Sequence, residues 1–298
     1  MSDSLFTAKI TQSHQKVNNF NAFFYKTLQF MTASSILLSL NSSMVVTFGF
    51  LIYGYTLAPP LLLAGFLVTF AVYGLNKVTD KAEDSINKPE LVTKRTDYYL
   101  FASVVSMIVG LGLGFTGGIV AVIILVMPLI LGIVYSIKIC KSVPRLKEIT
   151  GVKSLVVAIS WALPGCFLPA LFGFNILIAG CVFFFIFIKV FVGAILCDVL
   201  DVVGDASLGV KTIPVKMGVK NTKRLLVVLN TLLLLLPFYC ALNGVLVEFL
   251  PVFIFGSAYG YLAIWWFTNK RCTRVSAGLM LDGEWFPLLL FAGLLLLL

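Results

Sequence analysis

Nine long apolar stretches dominate this 298-residue chain and limit what it can fold into. A helix of about 20 apolar residues crosses the roughly 30 Å of bilayer hydrocarbon and satisfies its own backbone hydrogen bonds there. The sequence therefore predicts an all-α polytopic membrane protein, a bundle of nine transmembrane helices. They are expected at roughly 30–55, 58–76, 98–116, 118–138, 153–172, 174–198, 224–243, 246–268 and 284–298.

Composition excludes most other classes of protein. Hydrophobic residues make up 60% of the chain and charged residues 12%, whereas soluble domains contain about 45–50% and about 25%. A soluble enzyme, a disordered chain and a disulfide scaffold are all incompatible with these values. The single histidine, His14, argues against a His-rich metal or haem site and against a Ser-His-Asp triad.

The N-terminal residues 1–28 differ from the rest of the chain. They are polar, carry Lys9, Lys16 and Lys26, and are interspersed with Phe and aliphatic residues. This pattern predicts an amphipathic arm on the membrane surface rather than a signal peptide. Residues 29–298 are expected to form a single transmembrane domain.

The basic residues divide the connections into two sets. The arm and the loops 77–97, 138–153, 198–224 and 269–285 hold 21 of the 22 Lys and Arg residues, and the short connections hold none. The positive-inside rule then places the N-terminus and all four long loops in the cytoplasm of an integral cell-membrane protein. We expect the net charge of +9 to face membrane lipid headgroups or an anionic substrate, not nucleic acid.

Two acidic clusters lie at the predicted cytoplasmic ends of segments 2 and 6. Within each cluster the helical spacing places the side chains on one face, within about 80° and about 60° respectively. The Asp80/Asp84 and Asp201/Asp205 pairs are 121 residues apart, which suggests two related halves. The clusters consist of Asn76, Asp80 and Asp84, and of Asp198, Asp201 and Asp205.

Grouped carboxylates repel one another unless a cation neutralises them. Oxygen ligands without His or Cys suit Mg²⁺, which completes its coordination with water and substrate phosphates. We therefore expect all six residues of the two clusters to hold Mg²⁺ and, through it, a diphosphate. The simpler alternative is that these acids are solvated helix ends.

Basic residues in the long loops accompany the two clusters and could stabilise the charge of a departing diphosphate. The simpler alternative is that they only set the topology. The candidates for diphosphate binding are Asn76, Lys94, Arg95, Arg145, Lys147 and Lys211, with Lys153 in the same loop as Arg145.

Lys189 is the only basic residue inside an apolar segment. It lies nine residues before Asp198, about 13 Å deeper, and on a straight helix it would point to the opposite face. A charge at this depth suggests function. Lys189 could reach a polar cavity, pair with another helix or take part in catalysis.

The motifs resemble those of the UbiA superfamily of intramembrane prenyltransferases. That family's N-x-x-x-D-x-x-x-D motif matches Asn76–Asp84, and its D-x-x-D-x-x-x-D motif matches Asp198–Asp205. The segment Gly204–Pro214 matches the family's trailing G-D-x-x-x-G-V-K-T-I-P. Two positions depart from the pattern: Lys77 stands where many members have Asp, and Leu200 where many have Arg.

The resemblance implies a Mg²⁺-dependent transfer of an isoprenyl chain from an isoprenyl diphosphate through an allylic cation. Asp80, Asp84, Asp201 and Asp205 would be catalytic. The acceptor could be an aromatic ring, as in quinone biosynthesis, or a polar lipid alcohol. A transporter that uses the acidic clusters for ion coupling is the alternative, although transporters usually place such charges near the midplane.

Overall fold

The computed structural model describes residues 23, 25–79, 85–86, 96–136, 149–269 and 274–297, and their regular structure is entirely helical. The α-helices, in chain order, are α1 Ile36–Tyr53, α2 Pro59–Thr79, α3 Thr96–Gly114, α4 Gly118–Ser136, α5 Val152–Ala170, α6 Ile176–Ser207, α7 Ile213–Leu232, α8 Leu235–Asn243, α9 Leu250–Asn269, α10 Arg274–Met280 and α11 Trp285–Leu295. Residues 25–33 are also helical. The rest of the arm predicted for residues 1–28 lies almost wholly outside the described residues.

Eight segments in the described part of the chain are long and apolar enough to cross a membrane. One of them, Asp97–Gly132, contains both α3 and α4. A 3₁₀ turn at Phe115–Gly117 and Gly118, which has a positive φ of 80° and an extended ψ, separate these two helices. Counted separately, they bring the crossing segments to the predicted nine. The all-α membrane bundle is thus confirmed.

Small residues allow the helices of the bundle to approach closely. A Cβ atom on Gly49 of α1 would lie 1.9 Å from the carbonyl oxygen of Gly165 of α5, so only glycine fits at this crossing. Close backbone approach at small residues is a common way to pack helices in lipid, where a hydrophobic driving force between helices is lacking.

An aromatic cluster joins helices from both ends of the sequence. Phe185 of α6 stacks on Phe48 of α1 at 5.4 Å between ring centroids and packs against Phe253 of α9 at 5.1 Å. Trp285 of α11 meets Phe48 edge-on at 5.3 Å. All four rings are buried, and they place α6 in the centre of this part of the bundle.

Two helix boundaries differ from the predicted ones near the second acidic cluster. Helix α6 continues to Ser207 instead of ending near residue 198, and α7 begins at Ile213 instead of near residue 224. The apolar run ends where the acids begin, but the helix continues because those acids lie on a buried face. Gly218 (φ 74°) interrupts the first turns of α7.

Candidate active site

Helix α6 carries the second acidic cluster on its buried side. Asp198, Asp201 and Asp205 are 2%, 5% and 3% exposed, and the helix is continuous through all three. Residues spaced i, i+3 and i+7 on a continuous helix share one face. Buried carboxylates are costly unless partners or cations compensate them, so this face must be matched by positive charge or donors.

The first turn of α5 supplies two such partners to Asp198. Lys153 Nζ lies 2.8 Å from Asp198 Oδ1, and Ser154 Oγ donates to Asp198 Oδ2 at 2.8 Å. Gly151 precedes α5 in the left-handed conformation (φ 83°), which an L side chain rarely adopts. This turn directs the chain into α5 so that residues 153 and 154 face α6.

The end of α6 forms a Schellman motif. Gly209 adopts φ 72°, its N–H donates to Ala206 O, and the N–H of Val210 donates to Asp205 O at 2.9 Å. This arrangement satisfies the last carbonyls of the helix and reverses the chain. It explains why a glycine follows the last motif acid at this distance.

The chain then returns toward the start of α5. Thr212, Ile213 and Pro214 are buried, and a Cβ added to Gly151 would lie 3.3 Å from Ile213 Cδ1. The hydroxyl of Thr212 has no hydrogen-bond partner among the described residues. Lys211, predicted to bind diphosphate, is exposed beside this buried segment.

The structure places only part of the first predicted cluster. Asn76 lies in the last turn of α2 and is exposed. Both acids of the first motif and four basic candidates lie outside the described residues: Asp80, Asp84, Lys94, Arg95, Arg145 and Lys147. Their roles remain predictions from the sequence.

Lys77, one of the two departures from the motif pattern, is engaged by neighbouring helices. Its ammonium donates to Ala33 O and lies 5.9 Å from the centroid of the Tyr99 ring. The residue therefore ties α2 to the helical residues before α1 and to α3. Leu200, the other departure, packs against the hydrophobic core.

Two further polar contacts near this end of the bundle were not anticipated from the sequence. Ser154 binds Asp198, as described above, and Trp161 Nε1 of α5 donates to the hydroxyl of Tyr73 of α2 at 3.2 Å. A serine or an aromatic residue in an apolar helix gives no distinctive signal, so only the packing identifies these contacts.

Lys189 pairs with another helical segment, one of the three predicted alternatives. Its ammonium lies 2.8 Å from Glu284 Oε2, donates to Gly256 O at 3.0 Å and lies 5.5 Å from the Tyr259 ring centroid. Lys189 and Glu284 are both buried, and Glu284 directly precedes α11. This pair joins α6 to α9 and to the C-terminal helices.

The chemistry of the α6 face suits a hard divalent cation. Its acidic side chains offer oxygen ligands only, and Lys153 pairs directly with one of the three carboxylates, that of Asp198. No three His, Cys, Asp or Glu side chains in the described ranges come close enough together to hold a metal unaided. A divalent cation here would therefore need additional oxygen ligands, as Mg²⁺ obtains from water and phosphates.

Comparisons with known proteins agree with this arrangement. The model of the UbiA prenyltransferase family matches residues 42–286. A search of curated proteins gave no significant match.

Three solved structures share the fold. A UbiA homolog from Archaeoglobus fulgidus bound to GPP and Mg²⁺ aligns with a TM-score of 0.68 at 18% identity, over 90% of this chain and 96% of that one. The A. fulgidus UbiA homolog bound to DMAPP and Mg²⁺ gives 0.64 at 19% identity with the same coverage. A structure described as digeranylgeranylglyceryl phosphate synthase gives 0.59 at 16% identity, over 91% and 97%. The family match spans most of the sequence and both acidic motifs, and the chain belongs to the UbiA prenyltransferase family.

Proposed function

We propose that this protein transfers an isoprenyl chain from an isoprenyl diphosphate to an acceptor in a Mg²⁺-dependent reaction. The observation that carries the proposal is the buried acidic face of α6, where Asp198, Asp201 and Asp205 are buried together and Asp198 pairs with Lys153. Membership of the family supports prenyl transfer, and the similar A. fulgidus protein was solved with a prenyl diphosphate and Mg²⁺.

The carboxylates and the basic residues would have different roles. Asp201 and Asp205, together with Asn76, Asp80 and Asp84 of the first motif, are proposed to hold Mg²⁺ over the diphosphate. Bound Mg²⁺ supplies Lewis-acid neutralisation of the diphosphate oxygens. The proposed contacts of the diphosphate itself are the side chains of Lys94, Arg95, Arg145, Lys147 and Lys211.

The reaction that follows is an ionisation and an alkylation. The allylic C–O bond breaks, its electron pair leaves with the diphosphate, and the allylic cation forms a C–C or C–O bond to the acceptor, which loses a proton. The protein contributes fixed positive charge where negative charge develops. It also excludes water, which would otherwise capture the cation.

The acceptor is an aromatic ring or a polar lipid alcohol. An aromatic acceptor would lose a ring proton after alkylation at carbon, whereas an alcohol would lose its hydroxyl proton and become an ether. Both are compatible with an oxygen-rich site at the end of apolar helices.

The concentration of Lys and Arg in the arm and the four long loops supports an orientation of the site relative to the membrane. We propose that the N-terminus and the loops around both acidic motifs face the cytoplasm, and that the site opens at that surface of the cell membrane. Residues 29–298 would act as one transmembrane unit, with the arm of residues 1–28 lying on the membrane surface.

Ion-coupled transport is the competing function. The three carboxylates of α6 lie in its last ten residues, whereas coupling acids of transporters usually lie near the midplane. Their position and the family match both favour prenyl transfer.

A transfer assay tests the proposal. The full chain in lipid nanodiscs would be supplied with labelled allylic diphosphates of several lengths, aromatic and lipid-alcohol acceptors, and Mg²⁺. We expect a labelled prenyl product that EDTA abolishes and excess Mg²⁺ restores. The absence of product with every donor and acceptor, or full activity in EDTA, would contradict the proposal.

A further inference from the structure

We propose that Asp198 is a positioning residue that holds the ammonium of Lys153 against the diphosphate, and that it is not a ligand of Mg²⁺. This inference rests on the proposed function and refines the sequence-based prediction, which treats all three α6 acids as metal ligands. It concerns only the second motif and the first turn of α5.

Each oxygen of the Asp198 carboxylate already accepts a hydrogen bond from α5. Lys153 Nζ lies 2.8 Å from Oδ1, and Ser154 Oγ lies 2.8 Å from Oδ2. Two donors on separate oxygens fix the plane of the carboxylate, and the bond from the ammonium is a strong, charge-assisted one. A divalent cation bound to the same group would also lie close to the ammonium and be repelled by it.

Lys153 retains capacity to bind an anion. An ammonium has three donors, and Asp198 takes one of them. The Lys153 side chain is 39% exposed, whereas the Asp198 side chain is 3% exposed. The buried carboxylate therefore fixes one side of the ammonium, while the lysine side chain stays accessible. This is the arrangement expected of a cation that binds a substrate.

The other two acids of the motif lie on the same buried face of α6 as Asp198, the partner of Lys153. The charges of Asp205 and Asp201 also act on the Lys153 ammonium. Along α6, Asp201 and Asp205 lie about 4.5 Å and about 10.5 Å beyond Asp198. A diphosphate whose metal is held by Asp201 and Asp205 could thus receive a hydrogen bond from Lys153 on another oxygen.

Two binding measurements on the full-length protein separate the roles. Mn²⁺ affinity would be measured by EPR at saturating inorganic pyrophosphate, and pyrophosphate affinity at saturating Mn²⁺. We expect Asp198→Asn to keep Mn²⁺ affinity within about 3-fold and to weaken pyrophosphate binding about 10- to 100-fold, the value of a charge-assisted hydrogen bond. The matched control, Asp201→Asn, should weaken Mn²⁺ binding at least about 10-fold.

A double-mutant cycle tests whether Asp198 acts through Lys153. If it does, the double variant Lys153→Met/Asp198→Asn should bind pyrophosphate no more weakly than Lys153→Met alone. If Asp198 had a purely structural role, its substitution would weaken pyrophosphate binding further in the double variant, or would lower Mn²⁺ affinity as well. Should Asp198→Asn fail to fold, Ser154→Ala tests the same point, with intact Mn²⁺ affinity and weaker pyrophosphate binding expected.

Two results would overturn the inference while leaving the proposed function intact. One is a loss of Mn²⁺ affinity in Asp198→Asn, or in Ser154→Ala if that variant replaces it, as large as in Asp201→Asn. The other is a fully additive loss of pyrophosphate affinity in the double variant. A wild-type protein that binds neither probe and forms no prenyl product would instead refute the proposed function itself.

Discussion

The ammonium of Lys189 lies 2.8 Å from the carboxylate of Glu284 in the interior of the bundle, with both side chains buried. The pair joins the centre of α6 to the segment that precedes α11. Removing one member would leave the other charged and unpaired in an apolar interior, which is costly.

We therefore expect Lys189→Met or Glu284→Gln to destabilise the protein by about 3–5 kcal/mol and the double variant to recover part of that loss. Thermal unfolding in detergent, followed by size-exclusion chromatography, measures the effect. Lys223→Met is the control, because Lys223 bonds Asn269 on the exposed surface, and it should change stability by about 0.5 kcal/mol or less. Equal effects of the Lys189 and Lys223 substitutions would contradict this role for the ion pair.

Gly49→Ala should destabilise the crossing of α1 and α5. The added Cβ would lie 1.9 Å from Gly165 O, so the helices must separate, and overpacking of this kind costs about 1–3 kcal/mol. Gly180→Ala in α6 is the matched control, since a Cβ there meets nothing within 4 Å and alanine favours the helix. A Gly49→Ala protein as heat-stable as Gly180→Ala would show that the two helices do not pack this closely.

Alanine substitution of Asp80, Asp84, Asp201 or Asp205 should reduce prenyl transfer at least about 100-fold, because each removes a proposed ligand of the Mg²⁺ that neutralises the departing diphosphate. The rate of product formation by purified, folded variants measures this. Glu248→Ala, at an exposed turn between α8 and α9, should retain activity within about 2-fold. Substantial transfer by any of the four Asp variants would remove that residue from the proposed site.

An allylic diphosphate with fluorine on its allyl group should bind about normally but turn over more slowly by about two orders of magnitude or more. Its diphosphate and tail are unchanged, whereas the electron-withdrawing fluorine destabilises the cation that forms in the transition state. Competitive inhibition and single-turnover rates measure both properties. Equal turnover of the fluorinated and ordinary substrates would exclude rate-limiting ionisation.

The topology can be tested with single cysteines in a cysteine-free background. A membrane-impermeant maleimide should label Ser207→Cys and Ser142→Cys from the cytoplasmic side and Thr116→Cys from the other side, since only the first two lie in basic loops. Sealed vesicles of both orientations provide the comparison. Labelling of Ser142→Cys and Ser207→Cys from opposite sides would contradict the predicted arrangement.

Sequence alone predicts the elements of this fold well, because hydrocarbon thickness sets the length of each apolar run. Its limits appear where two helices meet. Glu284 lies 95 residues from Lys189, and Lys153 lies 45 residues from Asp198. Nothing in the local pattern specifies which faces of distant helices come together, so neither pairing could be predicted.

The second motif shows a different limit. Its spacing correctly indicates one helical face, but residue type does not distinguish an acid that binds metal from one that anchors a lysine. That distinction depends on Ser154 and Lys153, and both look ordinary at the start of an apolar helix. The apolar pattern also did not predict that α6 continues past residue 198, because charged residues end the apolar run there.

The length of α6 has a consequence for how a charged, lipid-tailed molecule reaches the protein. Its 32 residues span about 48 Å, roughly 18 Å more than the hydrocarbon layer. If Ile176 lies at one edge of that layer, about 20 residues bring the helix to the other edge, just before Asp198. The acids then lie at headgroup depth, so the diphosphate of the proposed donor would reach them without crossing the hydrocarbon layer. The desolvation cost of several kcal/mol per ion that transfer into hydrocarbon would impose is thereby avoided.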